Sequence, residues 1–282
     1  MLIDAHQHFW SISRGDYAWL TPDVARLWRD FLPADLAPLL INHGIVATVL
    51  VQAAPSIEET EYLLGIADAV PWAGAVVGWI DFENRDHLKH LTRWARHRKF
   101  RGVRPMLQDI TDTNWILQPR VAWALEAIQE LDLHFEFLGQ PRHLETAAEL
   151  MKRHPRMRLV LDHAMKPSIR DHAFEPWAKR IAALAVQSEA YCKISGLVTE
   201  AAPGWTLSDL KPYVDHVIHA FGPERVMWGS DWPVVNRNGS YDNWRAVTMA
   251  LIGAHPGAQH ILGGTAQRFY RLGTTHDAPS GA

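Results

Sequence analysis

The sequence is poor in cysteine, in net charge and in long apolar runs. Cys192 is the only cysteine among 282 residues, which excludes an intrachain disulfide and a zinc cluster built on thiolates. The formal net charge of -3 gives no electrostatic reason to expect nucleic acid or an anionic membrane surface as a partner. No apolar run approaches the roughly 20 residues that a membrane helix needs, and the N-terminal stretch MLIDAHQHFW lacks the pattern of a signal peptide. We therefore predict a cytoplasmic protein without nucleic-acid or membrane partners.

Two common signatures of nucleotide binding and of catalysis are also missing. No glycine-rich phosphate loop follows the first apolar run, which leads directly into His6 and His8, so an open nucleotide-binding sheet is disfavoured. The G-x-S-x-G turn of serine hydrolases is absent, and Ser195 in KISGL does not have that context. Cys192 lies in an apolar run and is interpreted as structural. These absences leave histidine and carboxylate side chains as the candidates for catalysis.

Eight short apolar runs recur along the chain, and stretches with helical spacing separate several of them. The runs are residues 2–5, 46–52, 73–79, 102–107, 134–138, 159–163, 191–195 and 226–229, and the helical stretches are 58–69, 87–98, 119–131 and 142–154. Apolar strands that alternate with helices indicate parallel pairing, since parallel strands are buried on both faces. Eight such units predict a (β/α)8 TIM barrel, with one domain over residues 1–273 and a flexible tail over 274–282. Residues 9–40 are predicted either to cover the barrel mouth or to pack at its periphery.

Polar residues end most of these apolar runs, where the active sites of barrel enzymes lie. His6 and His8 are two residues apart on an extended chain, so both imidazoles point the same way and are able to bind one divalent cation. The first and last strands of a closed barrel are neighbours, which predicts that Asp231, after the last run, converges with the two histidines. A carboxylate beside an imidazole or a cation is suited to take a proton from water.

Further residues at the ends of the runs complete the predicted site. His163 ends the sixth run and is interpreted either as a third metal ligand or as a group that polarises a carbonyl. Glu136 is a carboxylate inside an apolar run, which requires an ion, a metal or a proton as its partner. Arg104 is favoured over Arg101 as the inward guanidinium because it lies nearer the strand end. The remaining candidates for substrate binding are Gln52, Lys166, Trp10, Trp79 and Trp232, with Lys193 as further positive charge.

Six segments together resemble the amidohydrolase superfamily, in its branch of sugar-lactone hydrolases of the L-fuconolactonase and L-rhamnonolactonase type. They are MLIDAHQHFW, RGVRPMLQ, LDHAMKP, CKISGLVTEA, FGPERVMWGSDWPV and GGTAQRFY. The resemblance implies a (β/α)8 barrel, hydrolysis of a cyclic ester, and activation of water by Asp231. It also implies that histidines, an arginine or a metal polarise the lactone carbonyl. Two positions depart from the pattern, because Pro105 stands where a histidine is expected and Met165 where a glycine is expected.

The predicted reaction is the opening of a small aldonolactone to its aldonic acid by water that Asp231 deprotonates. His6, His8 and His163 would stabilise the oxyanion, alone or through one zinc or manganese ion. Many superfamily members have a lysine or an acidic bridge in the fourth strand and a histidine in the fifth. Here these runs offer Arg104 and Glu136, with His134 two residues before Glu136, so at most one ion is expected. Its predicted ligands are His6, His8, Glu136 and Asp231. The alternatives are a metal-dependent decarboxylase, a hydrolase of a non-sugar lactone such as a pyrone, and a non-catalytic barrel that binds a sugar acid; a homo-oligomer stays open.

Overall fold

The computed structural model describes residues 1–273, in which eight parallel strands form one sheet whose order follows the sequence. The strands are β1 (Leu2–Gln7), β2 (Ile45–Val51), β3 (Ala73–Gly78), β4 (Phe100–Val103), β5 (His134–Phe137), β6 (Leu159–Leu161), β7 (Tyr191–Ile194) and β8 (Val226–Trp228). Each strand overlaps one predicted run. β4 ends before residue 107 because Pro105 has no N–H to offer to the ladder. The predicted tail, residues 274–282, lies outside the described residues.

The sheet closes on itself between its first and last strands. The His8 N–H donates to the Trp232 carbonyl at 2.7 Å, and the Asp231 N–H donates to the His6 carbonyl at 2.8 Å. The chain after β8 therefore runs beside the end of β1, and the eight strands form a barrel. The predicted (β/α)8 architecture is confirmed.

Helices follow most strands and cover the outside of the barrel. They are α1 (Pro33–His43), α2 (Ile57–Ala69), α3 (Leu88–Trp94), α4 (Ala122–Glu130), α5 (Leu144–Arg153), α6 (Trp177–Gln187), α7 (Leu197–Glu200), α8 (Leu207–Phe221), α9 (Tyr241–Ile252) and α10 (Thr265–Tyr270). The four predicted helical stretches correspond to α2 to α5. α3 is shorter than predicted because the chain turns before β4, where the His97 N–H donates to the Trp94 carbonyl. Within residues 1–273, we find no helix with the length and apolarity that a bilayer crossing demands.

The last helix, α10, closes the N-terminal end of the barrel. The Phe269 ring lies 4.7 Å from the Tyr191 ring at the start of β7, and the Tyr270 ring lies 5.5 Å from the His134 ring at the start of β5. Both aromatic residues of α10 are buried among apolar strand residues. Because this end is filled, a ligand approaches the barrel from the C-terminal ends of the strands, as in other enzymes of this fold.

The chain between β1 and α1 forms a loop at that C-terminal end, and we name residues 11–30 the mouth segment. Two backbone hydrogen bonds between Trp10 and Phe31, of 3.1 and 2.9 Å, close the loop. The Tyr17 hydroxyl donates to Oε2 of Glu59 on α2 at 2.7 Å. The Trp19 indole donates to the Ala53 carbonyl, after β2, at 2.7 Å. Of the predicted stretch 9–40, residues 11–30 lie at the barrel mouth, whereas the part that enters α1 packs against β2 and α9 on the outside of the barrel.

The carboxyl group that anchors the mouth segment makes the stability of the protein depend on pH. Glu59 is fully buried, and burial raises its pKa from 4.5 to about 7. The folded protein therefore keeps a proton that the unfolded chain releases between these values, and this stabilisation is lost as the pH rises through about 7. Relative to Glu59→Gln, we expect the free energy of unfolding of the wild type to fall by on the order of 3 kcal/mol across this range. Urea unfolding of both proteins at several pH values measures the difference; two parallel curves would contradict the expectation.

Candidate active site

A cavity of about 370 Å³ lies at the C-terminal ends of the strands, within the usual size range of small-molecule sites. Five of the predicted site residues line it, namely His8, Arg104, His163, Lys166 and Asp231. Trp19 and Val24 of the mouth segment line its outer side. The barrel thus brings together residues that lie more than 200 positions apart in the chain.

Asp231 lies at the centre of three imidazoles. Its Oδ1 is 3.3 Å from Nε2 of His8, 3.8 Å from Nε2 of His6 and 3.9 Å from Nε2 of His163. None of these four side chains is more than 6% exposed. Burial alone would raise the pKa of Asp231, but the imidazoles of His163, His8 and His6 hold it well below its usual range. Asp231 is therefore ionised at neutral pH, and its carboxylate is available to accept a proton.

The turns that carry these residues have an unusual backbone geometry. Asp231 has a φ of 57°, and the four consecutive residues from His163 to Lys166 have φ values between 49° and 61°. Residues other than glycine rarely adopt this left-handed region, and such residues cluster at functional sites. Met165, with a φ of 61°, stands where the family resemblance predicts glycine, which adopts this conformation without steric cost.

The end of β7 orients the ring of His163. Its Nδ1 lies 2.9 Å from Oγ of Ser195, which leaves Nε2 to face Asp231. The next residue, Gly196, packs against the same ring, since a Cβ at this position would lie 2.7 Å from Nδ1 of His163. The sequence-based prediction considered Ser195 only as a nucleophile and so missed its contact with His163. Its place at the end of a strand is the signal that could have indicated this contact.

Beneath the imidazoles, charged side chains from four strands form a buried network. Nζ of Lys193 lies 2.7 Å from Oε2 of Glu136, 3.2 Å from Oδ1 of Asp162 and 3.1 Å from Nδ1 of His6. Nη1 of Arg104 lies 3.2 Å from Oδ2 of Asp162 and 3.2 Å from Nε2 of His6. Burial opposes the ionisation of Asp162, yet Lys193, His6 and Arg104 keep its pKa well below its usual range. The sequence-based prediction missed Asp162, although it lies inside the sixth predicted run, directly before His163.

Glu136 and Asp231, which were predicted to share one metal ion, belong to two different groups of possible ligands in the structure. Glu136 is fully buried, accepts from the Lys193 ammonium, and also binds the Tyr270 hydroxyl. Burial raises the pKa of Glu136 to about 7. Together with His6 and Asp162 it does bring three ligand atoms within 4.8 Å of one another. The ammonium of Lys193 contacts all three groups, however, and so takes the place that a metal ion would have there.

A second group, formed by His6, His163 and Asp231, also brings three ligand atoms within 4.8 Å of one another, and it suits one divalent ion. Burial lowers the pKa of His6 well below its usual value and that of His163 to about 4. Both rings are thus neutral and offer lone pairs, as zinc binding requires. Nδ1 of His8 donates to the Val51 carbonyl at 2.7 Å, so a neutral ring turns the lone pair of Nε2 toward Asp231 at 3.3 Å. Nε2 of His8 and Oδ1 of Asp231 are then both acceptors, and at this distance a cation or a proton between them is needed to offset their repulsion.

Two residues predicted to bind substrate are buried behind the cavity. Gln52 is fully buried, and its amide donates to the Arg104 carbonyl at 2.8 Å. Gln52 therefore supports the backbone of Arg104 and does not line the cavity. Trp10 is also fully buried, with its ring packed edge-to-face against Trp19 at 5.3 Å. In place of Trp10, it is Trp19 that lines the cavity, because the mouth segment folds back over the strand end.

The other two predicted tryptophans also lie outside the cavity around Asp231. Trp232 is 3% exposed and packs edge-to-face against Phe31 and Phe9. Trp232 therefore packs into an aromatic cluster and does not line the cavity that its neighbour Asp231 lines. Trp79 lines a neighbouring cavity.

Five polar residues of the cavity were not among the predicted site residues. They are Gln108, Asp109, Thr199, Glu200 and Arg237. Lys166 donates to Oε1 of Gln108, so these two residues act as one polar unit in the wall. Glu200 ends α7, and Arg237 lies in a turn after β8. Both positions are several residues beyond a strand end, and for this reason the strand-end rule did not find them.

Comparison with known proteins agrees with this geometry. The chain is 41% identical to an L-fucono-1,5-lactonase of Burkholderia ambifaria, over 99% of this chain and 97% of the relative. It is 36% identical to an L-fucono-1,5-lactonase of Burkholderia multivorans, over 98% of each chain. A crystal structure of an amidohydrolase from Burkholderia multivorans with bound zinc superposes with a TM-score of 0.92 at 34% identity, over 97% of this chain and 100% of that one. The sequence profile of the family described as Amidohydrolase matches residues 3–272, and the chain belongs to this family.

Proposed function

We propose that this protein hydrolyses a sugar lactone, and that its substrate is L-fucono-1,5-lactone. The observation that carries the proposal is the buried Asp231 carboxylate, which three imidazoles surround on the floor of a small polar cavity. The proposed substrate is the one named for two relatives of 41% and 36% identity. The alternatives of a decarboxylase and of a pyrone hydrolase have less support, because relatives at this level of identity are lactonases.

The first chemical step is the transfer of a proton from water to Asp231. The water oxygen then bonds to the lactone carbonyl carbon, and the carbonyl oxygen takes the negative charge of a tetrahedral intermediate. As the intermediate collapses, the bond between the carbonyl carbon and the ring oxygen breaks. The proton on Asp231 passes to the ring oxygen, which becomes a hydroxyl group of the open aldonic acid. General acid–base assistance of this kind typically contributes about 10² to 10⁴ in rate.

Positive charge lies close to where the oxyanion forms. Arg104 lines the cavity and is 3% exposed, and its guanidinium lies beside His6 and Asp162. A fixed cation in a site that excludes water stabilises developing negative charge more than it would in solution. Higher in the wall, Lys166 and Gln108 offer donors and acceptors for the ring hydroxyls.

One divalent ion fits the group formed by His6, His163 and Asp231, with His8 beside it. His6, His8, His163 and Asp231 would hold it, and zinc and manganese are the proposed metals. When bound, such an ion polarises a carbonyl oxygen and lowers the pKa of a coordinated water. The remaining predictions about partners, namely the absence of nucleic acid and membrane partners and an open oligomeric state, stay predictions.

Acid production from a panel of lactones tests the proposed function. We expect L-fucono-1,5-lactone to release protons rapidly, as followed with a pH indicator, and faster than D-sugar aldono-1,5-lactones, aldono-1,4-lactones or a pyrone. A chelator is expected to lower the rate, and zinc or manganese to restore it. Absence of acid release from every lactone, with metal added, would contradict the proposal. Undiminished rates in chelator would contradict the metal assignment alone.

A further inference from the structure

The cavity that contains Asp231 adjoins a larger one of about 900 Å³. Trp19, Met106 and Asp109 line both cavities and so form the boundary between them. The larger cavity has aromatic walls that include Trp79. Its charged residues are Asp81, Glu83, Asp109 and Asp112, with the cation Arg120, which pairs with Glu83 at 3.1 Å. Aromatic faces with acidic residues around them suit a neutral ring and disfavour an anion.

Two contacts fix the indole of Trp19 at this boundary. Its N–H donates to the Ala53 carbonyl at 2.7 Å, and its ring packs edge-to-face against Trp10 at 5.3 Å. Tryptophan has only two side-chain torsions, so a ring held in this way is a rigid wall. Trp19 is half-buried, and its surface lines the two cavities.

Glu59 binds both the residue that accepts the Trp19 hydrogen bond and the mouth segment that carries Trp19. Its Oε1 accepts from the Ala53 N–H at 3.0 Å, and its Oε2 accepts from the Tyr17 hydroxyl at 2.7 Å. Arg14 lies 3.5 Å from the same Oε2 and provides a positive charge beside it. Glu59 therefore fixes the residue whose carbonyl binds Trp19, and also fixes the mouth segment two residues before Trp19.

We propose that Trp19 is a specificity-determining partition that limits the substrate to a single ring, and that Glu59 is the residue that positions it. This rests on the proposed lactonase function. With the indole in place, a lactone above Asp231 is enclosed on the side of the larger cavity, and a second ring attached to one of its hydroxyls would overlap with Trp19. Without the indole the two cavities join, and a neutral ring is able to lie against Trp79.

The test compares the parent lactone with substituted forms of it. The probes are L-fucono-1,5-lactone and its mono-O-benzyl ethers, one for each hydroxyl, so that no assumption is made about the point of attachment. We expect the wild type to reject every ether. In Trp19→Ala, the ratio of kcat/KM for at least one ether to that for the parent lactone should rise by about tenfold or more.

Matched variants separate the partition from a general loss of packing. Trp28 lies on the same mouth segment and is 39% exposed, so Trp28→Ala should leave the ratio unchanged. Tyr17→Phe and Glu59→Gln should raise the ratio in the same direction by smaller factors. A lower stability alone would not change this ratio, because it reduces the amount of folded enzyme equally for all substrates.

Three results would overturn the proposal: hydrolysis of the ethers by the wild type at the rate of the parent, an unchanged ratio in Trp19→Ala for every ether, or an equal rise in Trp28→Ala. If the wild type does not hydrolyse the parent lactone, it is the proposed function that fails. In that case calorimetry measures the affinities of the wild type and of Trp19→Ala for the open-chain forms of the parent lactone and of its benzyl ethers. An unchanged ratio of ether affinity to parent affinity in Trp19→Ala would again overturn the partition.

Discussion

Asp231→Asn is expected to lower kcat by about 10³-fold, the middle of the range for loss of a general base, and to leave the fold intact. The amide cannot accept the proton of water, yet it has nearly the same shape as the carboxylate. Asparagine also tolerates the φ of 57° at this position, since its short polar side chain permits left-handed backbone. The rate of acid release from L-fucono-1,5-lactone measures the loss, and circular dichroism checks the fold.

The chain provides a matched control for this variant. Asp132 has the same φ of 57° and lies near the N-terminal end of β5, away from the cavity, where it pairs with Arg158 and Arg271. Asp132→Asn therefore imposes the same change on the same backbone conformation without touching the site, and its kcat should match that of the wild type. A kcat within tenfold of the wild type in Asp231→Asn would rule out this carboxylate as the base.

Lys193→Met is expected to destabilise the protein by about 3–5 kcal/mol, the typical cost of removing one partner from a buried ion pair. Lys193 is fully buried, and its ammonium lies 2.7 Å from Glu136 and 3.2 Å from Asp162. Without that charge, and among residues 1–273, Glu136 keeps the Tyr270 hydroxyl as its partner, and Asp162 keeps Arg104 as its cationic partner. Chemical denaturation gives the free energy of unfolding directly.

Two further variants make this result specific. The double variant Lys193→Met/Glu136→Gln removes one of the stranded carboxylates and should recover part of the loss. Lys211 forms a pair with Asp215 at 2.6 Å on the exposed face of α8, and Lys211→Met should cost less than about 1 kcal/mol because water screens the pair. Equal effects of Lys193→Met and Lys211→Met would show that the buried network does not depend on its ammonium.

The strand ends were predictable from the sequence, and with them the core of the site. In a barrel of eight parallel strands, every strand end meets the same face, so His6, His8, His163 and Asp231 converge whatever their separation along the chain. The resemblance to the amidohydrolase family pointed to the same residues, and the family membership is confirmed. The roles assigned to these residues stay predictions until the variants are measured.

Which partner each polar side chain meets could not be read from the sequence. Glu136 on β5 is a carboxylate at a plausible ligand position, but the fold places it against Lys193. Lys193 lies on β7, which β6 separates from β5 in the sheet. A glutamate is able to act either as a metal ligand or as an ion-pair partner. Only the distance between the strands that carry Glu136 and Lys193 decides which role it has. The same holds for Ser195, which is a poor nucleophile by its sequence context but lies 2.9 Å from His163.

The sequence by itself therefore determined the barrel, its single set of strand ends and the histidines and aspartate that meet there, because apolar runs that alternate with helical stretches repeat along the chain and indicate parallel pairing. The tertiary structure alone decided the wall of the cavity. Trp10, Trp79 and Trp232 were predicted to bind substrate, yet it is Trp19 that lines the cavity around Asp231, because a hydrogen bond to Ala53 places a loop residue where no strand position reaches. The conformation of a loop depends on contacts with residues that are distant in the sequence, and such contacts leave no periodic pattern in the sequence.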